Sequence, residues 1–153
     1  MGKIISAVLF ILKINKELLI AHPTNHSPNF WSIPKGKVEE NETSLEGAFR
    51  ETYEETNLSL VGSNEFRIFP MEPVNYRHKK KILHPFLCLE KPSSNFNWLE
   101  QELKCNSNVP NERGTFPEID DYKWVTLEEA IVLLHETQVA CINKILEIIE
   151  TCK

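Results

Sequence analysis

Gly36, Glu42, Arg50, Glu51, Glu54 and Glu55 are the residues of this chain whose types and spacing invite chemistry. On a helix, separations of three and four residues bring side chains onto one face, so Glu51, Glu54 and Glu55 share a flank. Three carboxylates that close destabilise the helix unless cations offset them. Magnesium or manganese suits the task, since a hard divalent ion accepts oxygen ligands and keeps waters for chemistry. Arg50 reaches Glu54 at four residues' distance and Glu42 from the helix start, which braces the carboxylates. A run such as Arg50-Glu51 followed by Glu54-Glu55 is, by itself, more often a solvated helix face than a metal site. The glycine turn and Glu42 ahead of it shift the balance toward metal.

These residues need elements to hold them. Residues 42–56 predict a helix with Leu45, Ala48, Phe49, Thr52 and Thr56 on one buried arc and the carboxylates on the adjacent flank. Thr43 or Asn41 caps its start, and Asn57 suits the left-handed exit. Ahead of it, residues 30–33 read as a short strand ended by Pro34-Lys35-Gly36. Residues 6–12 and 17–21 predict a hairpin or two neighbouring strands, followed by a loop over 22–29. Residues 58–69 and 76–89 are β-prone, the second interrupted by the basic run Arg77 to Lys81. Residues 91–114 are polar and irregular, with a short strand or helix at 98–103. A final strand over 122–125 leads into Thr126-Leu127-Glu128-Glu129, a capping-box pattern opening a short helix. The last helix, 138–150, has Val139, Ile142, Ile145, Leu146 and Ile149 on its apolar side. This order of elements is an α/β pattern, a mixed sheet with helices packed on it.

The chain has 153 residues, 41% hydrophobic and 25% charged, which fits one domain over residues 1–153 with a core that needs no metal or disulfide staple. A net charge of -5 argues against a general nucleic-acid surface, while leaving room for a local basic patch that meets phosphate. Cys88, Cys105, Cys141 and Cys152 have no zinc-like spacing and read as free thiols in a reducing compartment. The apolar run at 4–12 is too short for a signal peptide or membrane span. The start MGKIIS fits a loose myristoylation pattern at Gly2 and Ser6, but burial in a first strand is the preferred use. A cytoplasmic location is expected.

The spacing Gly36, Glu42, Arg50-Glu51, Glu54-Glu55 and Leu58 resembles the Nudix box, Gly-x5-Glu-x7-Arg-Glu-(aliphatic)-x-Glu-Glu-x-Gly-(aliphatic), over 23 residues. The departures are Thr52 in place of an aliphatic residue and Asn57 in place of glycine. The resemblance implies a Nudix-like α/β/α sandwich around a mixed β-sheet and hydrolysis of a nucleoside diphosphate linked to another moiety. It implies metal binding by Glu51, Glu54 and Glu55, a bracing role for Arg50, a loop role for Gly36 and a supporting role for Glu42. A backbone carbonyl of Lys35 or Gly36 is a further metal ligand on this view. Glu54 or Glu55 orients or deprotonates the attacking water, and Glu118 or Asp120 is a candidate additional acid.

The stretch WSIPKGKVE resembles the variant of dinucleoside polyphosphate and diphosphoinositol polyphosphate hydrolases. Lys35 and Lys37 flank the turn and are candidates for phosphate, weighed evenly against exposed lysines. In a strand Arg77, Lys79 and Lys81 share one surface, which serves either a phosphate cleft or a protected edge. Trp31, Phe30, Tyr76 and Phe86 are candidates to stack a base, against a core role for the same residues. Trp124 is assigned to packing, and no histidine is singled out. Two functions follow: a metal-dependent pyrophosphohydrolase acting on a dinucleoside or nucleoside polyphosphate, with capped RNA within the same chemistry, or a catalytically silent nucleotide-binding or protein-interaction module.

Overall fold

The computed structural model describes residues 3–77, 80–111 and 114–152. Strand β1, Ile4–Leu12, is buried at every residue from Ser6 onward. Its side chains divide by parity: Val8, Phe10 and Leu12 join one core, while Ala7, Leu9 and Ile11 join another on the opposite face. A strand covered on both sides has no polar face, which is why this segment reads as a continuous apolar run. Each such buried aliphatic or phenyl side chain stabilises the fold by about 1.5–3 kcal/mol.

The expected hairpin forms, with β2 (Leu18–Pro23) antiparallel to β1 at Leu12↔Leu18. Its turn places Lys16 at φ 69°. The strand expected at 30–33 is reduced to one bridge, Ala21↔Ser32. The true strand is β3, Lys35–Lys37, which runs through the glycine expected to end it and pairs with β1 as Val8↔Lys35, Ala7↔Gly36 and Ser6↔Lys37. The segment 31–37 therefore bonds to β2 at one end and to β1 at the other.

Helix α1, Ser44–Thr56, opens on a capping box between Thr43 and Glu46 and closes at Asn57 with φ 70°. Thr43, rather than Asn41, is the cap, a contribution of about 1 kcal/mol. The β-prone stretches beyond it are shorter than their composition suggests. Only β4 (Phe66–Pro70), β5 (Val74–Asn75) and β6 (Lys81–Glu90) are strands. Tyr76 and Arg77 instead lie between β5 and β6, and the 58–65 segment is irregular, with Leu58 and Leu60 buried. Trp98–Glu100 forms a turn of 3-10 helix. A small hairpin of β7 (Asn108–Asn111) and β8 (Gly114–Pro117) follows in a region expected to be irregular. Strand β9 (Ile119–Val125) leads to α2 (Leu127–Leu133), capped by Thr126 and Glu129, and α3 (Glu136–Thr151) ends the described chain.

The main sheet has the order β4-β6-β1-β2-β9 and is mixed: β1 and β6 are parallel, and the other pairs are antiparallel. Helix α1 covers the face built from Ala7, Leu9, Ile11 and Leu19. The other face, with Val8, Phe10 and Ile20, packs against Ala130 of α2 and Cys141, Ile142 and Ile145 of α3. This is an α/β/α sandwich around a mixed sheet. Leu146, expected on the apolar side of the last helix, is 42% exposed, whereas Cys141 is buried. Ser6 is buried in β1, while Gly2 lies outside the described residues. All four cysteines are free, with Cys88 and Cys141 buried. Among the described residues, no helix is long and apolar enough to cross a membrane.

Candidate active site

Arg50 organises the acid cluster. Its Nε and Nη2 form a fork on Glu42, at 3.1 Å to Oε2 and 2.7 Å to Oε1. Its Nη1 donates to Glu51 Oε1 at 2.8 Å and Glu54 Oε1 at 3.1 Å. Nη2 also donates to the Lys37 carbonyl at 2.9 Å, tying the helix to β3. A planar guanidinium can serve several acceptors at once because its donors are held in a rigid fork. Glu42, charge-paired in this way, is held below the usual carboxylate range, chiefly by its hydrogen bond to Arg50.

Glu55 differs from its neighbours. It was expected on the flank of the helix with Glu51 and Glu54, yet it is 5% exposed and belongs to the buried face. The helix is buried through its small residues Ala48 and Thr52, with Gly47 against Val38 and Glu42, and this close seat covers the next turn as well. Burial, followed by the charges of Glu51 and Glu118, pushes Glu55 up to about 9. Burial also raises Glu51, against the opposing effect of Arg50. The Glu51 side chain, next to Glu55, adds to this rise.

Gly36 explains how strand and helix approach so closely. It pairs with Ala7, on the face covered by α1, and a Cβ there would lie 2.0 Å from Glu51 Cδ. Any side chain would occupy the carboxylate's space. Among the described residues, no three acidic, histidine or cysteine side chains are arranged around a common ion position, and Arg50 draws both Glu51 and Glu54 to itself. The donor set nevertheless fits a hard divalent ion. Three carboxylates are crowded together, two with ionisation disfavoured by burial, and a cation would favour their charged forms.

Beside this cluster lies a cavity of about 440 Å³, lined in part by Trp31, Lys35, Tyr76, Arg77, Lys81 and His135. Lys35 connects the two regions, since its charge also acts on Glu55. Tyr76 and His135 face each other with ring centroids 6.5 Å apart and planes 28° from parallel. Lys81 Nζ stands 4.9 Å from the Tyr76 ring centroid. Phe30, also on the cavity wall, stacks on His26 at 4.7 Å.

The lysine and aromatic expectations separate here. Lys35 and Lys81 reach the cavity; Lys37 is exposed and outside its lining, and Lys79 lies outside the described residues. Trp31 is both core and wall, 7% exposed, with Lys123 Nζ at 4.5 Å from its ring. Phe86 packs in the α1-side core instead. Trp124 packs there too, as expected. Of the two candidate additional acids, Glu118 acts on Glu55, while Asp120 Oδ1 pairs with His22 Nδ1 at 2.6 Å. His135 and Gln138, from the start of α3, are wall residues that sequence reading missed. Neither has a spacing signal, because they are brought to the cavity by the packing of α3.

The NUDIX domain family model matches residues 3–146 of this sequence. The chain belongs to the Nudix domain family. An RNA pyrophosphohydrolase from Photobacterium profundum is 28% identical over 102 residues, which covers 63% of this chain and 55% of that protein. The chain thus spans about half the length of that curated relative. The fold of a Caenorhabditis elegans Ap4A hydrolase, solved as a binary complex, matches with a TM-score of 0.69 at 22% identity, covering 97% of this chain and 98% of that one. A bifunctional NMN adenylyltransferase/ADP ribose pyrophosphatase from Francisella tularensis, complexed with AMP and a manganese ion, matches at TM-score 0.64 and 20% identity, over 95% of this chain and 42% of that one. The segment from Gly36 to Leu58, which resembles the Nudix box, is carried by β3, α1 and the turn at Asn57.

Proposed function

We propose that this Nudix domain hydrolyses a phosphoanhydride bond in a nucleoside diphosphate derivative, with a dinucleoside or nucleoside polyphosphate as its substrate class. The observation that carries this reading is the junction at Lys35, where a cationic and aromatic cavity meets an intact acid cluster. A polyphosphate needs cations along its length, and its base needs a flat partner.

Lys35, Arg77 and Lys81 supply the cationic wall for phosphate oxygens. Tyr76 and His135 supply the base site. Their 6.5 Å separation is close to the roughly 7 Å that two van der Waals layers around a flat ring require. Glu51, Glu54 and Glu55 would hold magnesium or manganese, with a β3 carbonyl at Lys35 or Gly36 as a further ligand. When bound, the ion supplies charge neutralisation at the phosphate and a more acidic water. Arg50, anchored on Glu42, holds Glu51 and Glu54 in place, and Glu54 or Glu55 orients or deprotonates the water.

The similar proteins named above, an RNA pyrophosphohydrolase and an Ap4A hydrolase, share this phosphoanhydride chemistry and guide the choice of compounds. A product-resolved screen in magnesium or manganese, across dinucleoside tetraphosphates, nucleoside triphosphates, ADP-ribose, nucleotide sugars, 5′-triphosphorylated and capped RNA and diphosphoinositol phosphates, tests the proposal. Cleavage of a nucleoside polyphosphate, lost in Glu54→Gln, supports it. Folded protein that turns over none of these compounds moves the reading to a catalytically silent nucleotide-binding or protein-interaction module.

A further inference from the structure

Residues 102–107, between the 3-10 turn and β7, belong to neither the acid cluster nor the cavity. They lie against the end of α1. The last carbonyls of a helix lack partners within it, and in α1 those of Glu54, Glu55 and Thr56 are all met from outside the helix, while that of Tyr53 gains a second donor beyond its ladder bond. The Tyr53 carbonyl accepts from the Asn57 N–H at 2.9 Å and from Asn106 Nδ2 at 3.1 Å. The Glu54 carbonyl accepts the Asn106 N–H at 2.6 Å, and the Thr56 carbonyl accepts the Lys104 N–H at 3.2 Å. The Glu55 carbonyl accepts from the Tyr122 hydroxyl. Asn106 Nδ2 also donates to Asn57 Oδ1 at 2.9 Å, and Asn57 Nδ2 donates to the Glu102 carbonyl at 3.1 Å.

This end of the helix is where the box concentrates its acids. The helix dipole puts partial negative charge at a C-terminus, which disfavours carboxylates there, and α1 has no basic residue in its last turn. Helix ends also fray. Glu54 and Glu55 thus stand on a turn with both electrostatic and entropic reasons to open. The segment that caps this turn also holds Glu118: Ser107 Oγ donates to Glu118 Oε1 at 3.0 Å, and the Glu118 N–H donates to the Ser107 carbonyl at 3.0 Å.

We propose that Asn106 and Tyr122 are positioning residues for the reaction, fixing the last turn of α1 so that the Glu54 and Glu55 carboxylates keep their place relative to Glu118. This rests on the reading of Glu54 and Glu55 as metal-binding residues. Neither positioning residue touches the reacting groups. Tyr122 reaches the cluster from β9 and Asn106 from the loop, so the acid site depends on chain about 50 to 65 residues downstream of the box.

The test uses Asn106→Ala, Tyr122→Phe and the double variant of the full chain. Manganese affinity is read from the paramagnetic resonance of free ion, amide exchange at residues 52–57 by mass spectrometry, and kcat and KM on the substrate found in the screen. Each single variant is expected to weaken manganese binding and lower kcat by about tenfold, as loss of a supporting partner does at metal sites. KM should remain within about twofold, exchange should rise at the last turn of α1, and the melting temperature should move little. Tyr122→Phe keeps the ring in its packing site and remains informative if Asn106→Ala folds poorly. Wild-type manganese affinity in both single variants overturns the proposal, as does a loss that merely parallels global unfolding. If wild-type protein binds manganese but cleaves no compound in the screen, the hydrolase reading fails, while manganese affinity and amide exchange still decide this one.

Discussion

The acid cluster and the adjoining cavity are built in opposite ways. Glu42, Arg50, Glu51, Glu54 and Glu55 come from one short segment and a single helix, and Arg50 binds three of the four acids directly. The cavity draws its wall from the approach to β3, the β5–β6 connection and the start of α3. The first region is dense with charge and tightly packed; the second is open, aromatic and cationic. Local spacing can assemble reactive groups, whereas room for a ligand requires elements that are distant along the chain.

If the acid cluster performs chemistry and the cavity performs recognition, variants in the two regions should separate kcat from KM. The largest effect belongs to Glu54→Gln, which should lower kcat by roughly 10²–10⁴-fold, the range associated with losing a general acid or base. Retained folding by circular dichroism and retained substrate binding by calorimetry complete that prediction; wild-type turnover would remove Glu54 from the mechanism.

Gly36→Ala should come next. Its new Cβ would meet the Glu51 carboxylate at 2.0–2.4 Å, forcing carboxylate or strand to shift. A misplacement of about 1 Å can cost roughly 10²-fold in rate, so kcat should fall on that order, as measured under saturating substrate. An unchanged kcat would mean that Glu51 can swing away without consequence.

Tyr76→Ala tests the other region. Removing one ring of the pair should raise KM about tenfold at nearly constant kcat, since base–aromatic stacking is worth roughly 1–3 kcal/mol. A fall in kcat alone would contradict the division between the regions.

The smallest expected effect is a pH dependence at His22, whose ring packs edge-on against the cavity-wall residue Trp31. His22 Nε2 bonds the Ser27 carbonyl at 2.8 Å while Nδ1 bonds Asp120, linking the 24–30 loop to β9. The Ser27 carbonyl above all, with Asp120 also contributing, raises the His22 pKa above its ordinary 6.5. Because the folded value is the higher one, this stabilisation is fully present below about 6.5 and is lost as pH rises through the folded value. Replacing His22 by Asn should remove that part of the pH dependence, a difference of about 1 kcal/mol in denaturant titrations. Identical pH slopes in the two proteins would refute it.

Legibility followed the same division. A cap at Thr43 or Asn41, the left-handed exit at Asn57 and the capping box at Thr126 depend on neighbouring backbone groups, so they could be read locally. Arg50 reaching Glu54, four residues on, likewise follows from helix geometry, whereas its fork on Glu42 depends on how the chain folds back ahead of the cap at Thr43. By contrast, the burial of Glu55 depends on how closely α1 sits on the sheet. The strand at Lys35–Lys37 depends on an available edge of β1, which outweighs the local tendency of Pro34 and Gly36 to interrupt structure. The β7–β8 hairpin has little apolar patterning and was equally illegible. Tyr76 and Lys81 could be nominated by type, but their convergence with His135 could not.

By itself, the sequence determined the acid set, the helix that carries it and the α/β class, because helix and strand periodicities turn spacing directly into shared faces. The tertiary structure decided which carboxylate is buried, which basic residues line the cavity and what caps the end of α1. Those properties arise from contacts between segments far apart in the chain, and their energies depend on the dielectric surroundings and hydrogen-bond partners that packing alone brings together.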